Sequence, residues 1–206
     1  MIELSVARLE ELSRMVETVP EKMERVLQRS LNRGLDAAKT RAFRSVSEKY
    51  DITQTEAKKN TRFWMKRARK EGDQVIGYIQ YHGNKVPLYK FKGNQRTTKK
   101  GLVKVRVRRE SSRTALESAF ITTMSNGHVG IFERTSGTYS DKRVSSVKHS
   151  KNSGRTKYAE AIKEKYGPSV PEMLENEQVI GRIQDEVQEM IDRRIDHELE
   201  QLLRGR

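Results

Sequence analysis

Apolar positions recur along this chain with two different periods, and the change of period divides it. Leu4, Leu9, Leu12 and Val16 fall at roughly helical spacing, which predicts a helix over the opening segment. Pro20 suits the start of a second helix, because the amide that proline lacks has no partner in a first turn anyway. There Met23, Val26, Leu27, Leu31, Leu35, Ala38, Ala42 and Val46 form one stripe that ends near Tyr50. Thr53-Gln54-Thr55-Glu56 reads as a capping box, in which a hydroxyl and a carboxylate three residues apart satisfy each other's free amides. The helix it opens is predicted to span Gln54 to Lys70, stopped by Gly72 and Asp73.

From Val75 the pattern turns to β-formers. Val75–Tyr81 and Val86–Phe91 read as strands around a Gly83-Asn84 turn, with Pro87 pushing the second strand to a sheet edge. Gly101–Arg109 alternates strictly: Val103, Val105 and Val107 point one way, and Lys104, Arg106 and Arg108 the other. Ala119–Met124 and His128–Phe132 flank Ser125-Asn126-Gly127, whose Asn-Gly pair takes the positive backbone angles of a hairpin turn. Gly137–Lys157 reads as a mobile basic loop and Tyr158–Tyr166 as a short helix.

"KYGPSVPEML" (Lys165–Leu174) then reads as a stiff corner between two helices. Gly167 takes the left-handed cap position, Pro168 forbids continuation, and Pro171 opens the last helix. That helix carries a stripe through Leu174, Ile180, Ile183, Val187, Met190 or Ile191, Ile195, Leu199 and Leu202. The prediction is an α+β chain with N-terminal helices, a central antiparallel sheet of four to five strands and a long C-terminal helix. Its regions are 1–72 (helical), 73–134 (sheet core), 135–157 (flexible basic loop) and 158–206 (helical), in one domain overall.

Composition sharpens this picture. Of 206 residues, 34% are hydrophobic and 34% charged, which predicts a modest core, long solvated helices and surfaces that need partners. No cysteine is present, so disulfides, thiolate zinc sites and thiol catalysis are excluded. No apolar run predicts a membrane span or a signal core. The net charge of +14 is unevenly spread: residues 1–24 are net −3, residues 172–200 net −7 and the last six residues net +2, leaving +22 on residues 25–171. Such a basic centre attracts a polyanion or an acidic protein face, and the acidic ends of one subunit suit the centre of the next.

Catalytic patterns are not found. His82, His128, His149 and His197 have no metal-ligand spacing, and there is no nucleophile elbow and no phosphate-cradling glycine loop. The chain is read as non-enzymatic, with no catalytic or metal residue and no cofactor. Three basic clusters carry the chemistry: Lys58–Lys70, interleaved with Phe63 and Trp64; Lys85–Arg109, with ten basic residues and no acid; and Lys142–Lys157. Such density binds phosphates without reading sequence, and equally suits a solvated face or a protein-facing patch. Lys104, Arg106 and Arg108, with Lys92 and Arg96, are the candidate contacts to DNA or an acidic partner.

Several stretches resemble the minor tail protein Z family of tailed bacteriophages, also described as tail completion proteins. They are "LQRSLNRGLDAAKTRAFRSVSEKYDI" (27–52), "VPLYKF" (86–91), "GLVKVRV" (101–107), "SAFITTMSNGHVGIFER" (118–134) and "KEKYGPSVPEML" (163–174). The pairing of "GHVGIFER" with "YGPSVP" is the most specific. The resemblance implies a virion component that finishes the tail at its head-proximal end, made in the host cytoplasm. It implies a homo-oligomeric ring, with a hexamer as the expected copy number. The implied partners are the tail tube or tail terminator protein, the head–tail connector and viral DNA in the channel, with no membrane. Gly167, Pro168 and Pro171 then set the angle of an intersubunit helix, and Ile183, Val187 and Met190 bury at an intramolecular or subunit interface. The alternative is a nonspecific double-stranded DNA-binding protein acting as a monomer or dimer.

Overall fold

The computed structural model describes residues 1–6, 20–95, 97–98, 101–134 and 162–204. Leu9, Leu12, Val16, Arg96 and the 137–157 loop lie outside the described residues. The chain is α+β, and the expected single sheet is split into several small ones. It forms two compact units, one of residues 1–85 and 168–206, the other of residues 86–167.

The first unit is built on α1 (Pro20–Lys49), which begins at the proline and carries the expected stripe. Met23, Leu27, Leu31, Leu35, Ala38, Ala42 and Val46 are fully buried. Two neighbours cover that stripe. One is the sheet of β1 (Ile2–Val6), β2 (Arg62–Glu71) and β3 (Gln74–His82), antiparallel in the order β1-β3-β2. The other is α4 (Glu177–Leu203), which packs through Val179, Ile183, Val187 and Ile191. The two helices run antiparallel, as their cross-links show: Arg182 meets Glu48 at 2.8 Å, Arg41 pairs with Glu186, and Arg29 lies 3.8 Å from Glu198. Gly34 marks the closest approach, where an added Cβ would stand 2.7 Å from Ile191 and 3.2 Å from Leu4.

Three expectations are corrected in this unit. The opening residues Ile2–Val6 form a strand, not a helix. Ile2, Leu4 and Val6 also alternate with polar residues, and the free edge of β3 supplies a partner that an isolated helical turn lacks. The helix at Gln54, α2 (Gln54–Lys59), stops eleven residues early. Thr53 caps its start, accepting from the Glu56 amide at 3.2 Å, which is the hydroxyl half of the expected box. At its end, the Asn60 and Thr61 side chains turn back onto the Glu56 and Ala57 carbonyls and terminate it.

The basic stretch that follows is β2, joined to β3 by the Gly72-Asp73 turn with Gly72 at φ 65°. The hairpin expected at Gly83-Asn84 is therefore not made, because both edges of β3 are taken by β1 and β2. Arg67 and Ala68 together oppose Gly77, a bulge whose free Ala68 amide donates to Asn32 Oδ1 of α1 at 2.9 Å.

The second unit holds the remaining strands. Val86–Phe91 is not one strand: β4 (Lys85–Pro87) ends at the proline and Leu88–Lys90 forms a 3₁₀ turn. The alternating stretch is a strand only over β5 (Val103–Val105), paired with β6 (Thr114–Leu116). The Asn-Gly hairpin stands as expected, joining β7 (Ala119–Thr123) to β8 (Val129–Arg134) with Gly127 at φ 81°. Where a helix is expected before Tyr166, the described part is β9 (Ile162–Glu164), paired with β8. Phe91, Val103, Val105, Ala119, Ile131 and Phe132 are the buried apolar centre.

The corner is also corrected. Gly167 and Pro168 are extended, within β10 (Tyr166–Ser169), so the bend is strand-to-helix. Gly167 carries no left-handed cap; its lack of a side chain admits Phe91, whose ring would stand 2.8 Å from an added Cβ. Ser169 begins α3 (Val170–Leu174) with a full capping box, and Pro171 lies in its first turn as expected. The last helix is accordingly two, α3 and α4.

A candidate polyanion interface

The candidate cations sit around a loop that the backbone alone does not hold. Asn94, fully buried, donates to the Leu88 carbonyl at 3.0 Å and the Arg106 carbonyl at 3.1 Å, and accepts from the Arg106 amide at 2.9 Å. Its side chain thereby acts as a strand partner for the chain just past β5. Gln95 donates to the Tyr89 and Phe91 carbonyls at 2.7 and 3.0 Å and accepts from the Gly93 amide at 2.9 Å. From the other side Arg113 donates to the carbonyls of Gly93 at 2.8 Å and Lys92 at 3.3 Å. Gly93, at φ 74°, leaves room for that guanidinium, which any Cβ would strike.

On this frame Val103 and Val105 turn inward and Lys104 outward. Lys104, Arg113, Gly93, Gln95, Thr97 and Thr98 line an open hollow of about 430 Å³. It presents the Lys104 ammonium, the Arg113 guanidinium and two threonine hydroxyls, with no carboxylate among its described lining residues. That is a donor set for an oxyanion. Of the other candidates, Lys92 and Arg108 are exposed. Arg106 is half-buried and anchored through its backbone, so the three cations of the alternating stretch do not form one flat face.

Arg113 and Asn94 were absent from the sequence-derived set. Each is a lone polar residue that bonds mainly to backbone groups, with one further bond from Arg113 to Asn94 Oδ1 at 3.3 Å, and no spacing rule marks such a residue. Gly167, Pro168 and Pro171 lie along the strand-to-helix bend. Ile183 and Val187 are buried against α1, with Met190 only half-buried and Ile191 taking the fourth place in the stripe.

One further polar cluster stands nearby in the chain. Glu164 receives the Tyr166 hydroxyl at 2.6 Å and lies 2.8 Å from His128 Nε2, which ties β9 to the hairpin. The hydrogen bond to Glu164 raises the Tyr166 phenol above its ordinary range. Among the described residues no group of three or more carboxylates and histidines is placed to hold a metal ion, and no helix is long and apolar enough to cross a membrane.

The chain matches no curated protein and no solved structure. The family model described as prophage minor tail protein Z (GPZ) matches residues 2–205. The chain belongs to that family and is a phage minor tail protein, a component of the virion tail.

Proposed function

We propose that this protein completes the phage tail at its head-proximal end, as a ring of identical subunits that joins the tail to the head or its terminator and lets DNA pass. A hexamer is the expected ring, assembled in the host cytoplasm. Its neighbours are the tail tube or tail terminator protein and the head–tail connector. The carrying observation is the donor-lined surface of the second unit: Lys104 and Arg113 at the hollow, Lys92 and Arg108 exposed, on a frame stapled by Asn94. A cationic surface without base-reading geometry suits a channel that must pass DNA of any sequence.

The same surface favours a second reading, a nonspecific duplex-binding protein. Two measurements separate them. Light scattering with negative-stain images, with and without tail tubes, is expected to show a ring, or a ring formed on tube addition. A monomer or dimer that ignores tubes and binds duplex DNA with a steep salt dependence moves the assignment to the second reading. In phage, Lys104→Glu with Arg106→Glu is expected to abolish tail joining; intact joining and infectivity would remove this surface from function.

A further inference from the structure

The first unit leaves one face of its sheet open. One side of β1-β3-β2 is buried on α1 through Ile2, Leu4, Val75, Ile79 and Tyr81. Alternation along the strands sends Arg62, Trp64 and Lys66 of β2 and Tyr78 and His82 of β3 to the opposite side, and the register sets Arg62 beside His82 and Lys66 beside Tyr78. Trp64 is 54% exposed there, its ring edge-on to Tyr78 at 5.5 Å, with the Lys66 ammonium 5.5 Å from the Tyr78 ring. About half of the Trp64 surface is therefore left to solvent, on the side of the sheet away from α1. Arg69 continues the basic row and shares Glu71 with Lys66, at 2.7 and 3.5 Å.

The same unit carries the opposite charge elsewhere. α4 turns Ile183, Val187 and Ile191 onto α1, and its exposed side presents Asp185, Glu189, Asp192 and Asp196 at spacings of four, three and four. This stripe runs for roughly 16 Å, at 1.5 Å per residue. The row from Arg62 to Arg69 runs for about 23 Å, at 3.3 Å per residue. The two surfaces are opposite in sign, and the acidic stripe fits within the length of the basic row. Both point away from α1, the element between them, so one copy cannot close them on itself.

We infer that the open face around Trp64 seats the acidic side of α4 from a second copy of this chain. Trp64 is the anchor that loses water, and the charge rows set orientation and exclude wrong registers. Because the two surfaces differ, the contact is head-to-tail and propagates into a ring where the rotation closes. The inference rests on the ring reading above and specifies its interface.

Trp64 is the only tryptophan in the chain, so its emission reports on this face directly. The test uses the full chain, following emission and light-scattering mass together across concentration. A red-shifted, water-exposed signal is expected on dilution, moving to the blue as mass rises. Trp64→Ala is expected to weaken association about 30-fold, the usual loss for a central aromatic anchor. Arg62→Glu with Lys66→Glu, and separately Asp185→Lys with Asp192→Lys, should each block association, while mixing the two variants restores it. Circular dichroism checks that each variant folds.

Rings whose mass ignores all these changes overturn the interface and leave the tail-completion reading standing. Copies that pair through this face yet never engage tubes overturn that reading and leave the interface. Emission that is already blue in a species of monomer mass, or that shifts only when nucleic acid is added, overturns the interface by assigning the face to another occupant.

Discussion

The side-chain amide of Asn94 faces the backbone of Arg106 as a strand would, accepting from its N–H at 2.9 Å and donating to its C=O at 3.1 Å. A third bond reaches the Leu88 carbonyl at 3.0 Å. Three backbone groups, one of them buried, therefore depend on one side chain. Asn94→Ala is expected to cost about 3 kcal/mol in denaturant unfolding, the penalty of leaving such groups unpaired. Asn94→Asp should not rescue it, because a carboxylate would face two carbonyls that need a donor. An Ala variant as stable as the parent would show that the frame stands without this amide.

Gly34 and Ile191 define how closely α1 and α4 pack. Alanine is the better helix former by about 1 kcal/mol, but its Cβ would meet Ile191 at 2.7 Å. Gly34→Ala alone should therefore destabilise by about 1–2 kcal/mol, as overpacking does. Ile191→Ala alone opens a cavity and should cost about 3 kcal/mol. In the double variant one change fills the space left by the other, so its loss should fall short of the sum by about 1 kcal/mol. Simple additivity in thermal melts would show that the helices do not meet at this pair.

Tyr81 buries its hydroxyl with no hydrogen-bond partner among the described residues, and burial pushes the phenol well above its ordinary range. Its ring still packs edge-on to Phe43 at 6.0 Å. Tyr81→Phe keeps that packing and should be neutral or stabilise by about 1 kcal/mol. The sign with pH follows from the raised value. The folded state disfavours the phenolate, so the stability this group contributes is complete below the unfolded phenol's pKa, about 10. It is lost as pH rises from there toward the folded value. Stability measured from pH 8 upward should fall less steeply in the Phe variant; parallel curves would count against a buried phenol.

Ser169 and Glu172 close the bend reciprocally, the Glu172 carboxylate accepting from the Ser169 amide at 2.7 Å and Ser169 Oγ from the Glu172 amide at 3.3 Å. Ser169→Ala should cost about 1 kcal/mol. Ser169→Asp keeps an N-cap acceptor and should recover most of it. Equal losses in the two variants, by chemical denaturation, would show that the serine's burial matters more than its cap.

Much of this protein was legible along the chain because the signals are local. The α1 stripe is set by 3.6-residue periodicity, the Asn126-Gly127 turn by positive backbone angles, and the Thr53 cap by its own hydroxyl. The basic centre and acidic end are plain sums of charge. The family resemblance was carried by short stretches read in order, and the match across residues 2–205 agrees with it.

Only tertiary structure decided the rest, and the reason is competition between partners. Arg62–Glu71 has the charge and spacing of a helix continuing from Gln54, but β3 offers a full ladder of hydrogen bonds, and Asn32 on α1 satisfies the amide its bulge leaves free. Ile2–Val6 fits a helix or a strand by pattern and becomes a strand because β3 has an edge to fill. Gly83-Asn84 is a good hairpin turn with no hairpin, since both edges of β3 were already occupied. Asn94 and Arg113 gain their roles from backbone groups that only folding brings to them. Local periodicity sets what each segment can be; which option it takes depends on the hydrogen bonds and apolar faces that distant segments leave open.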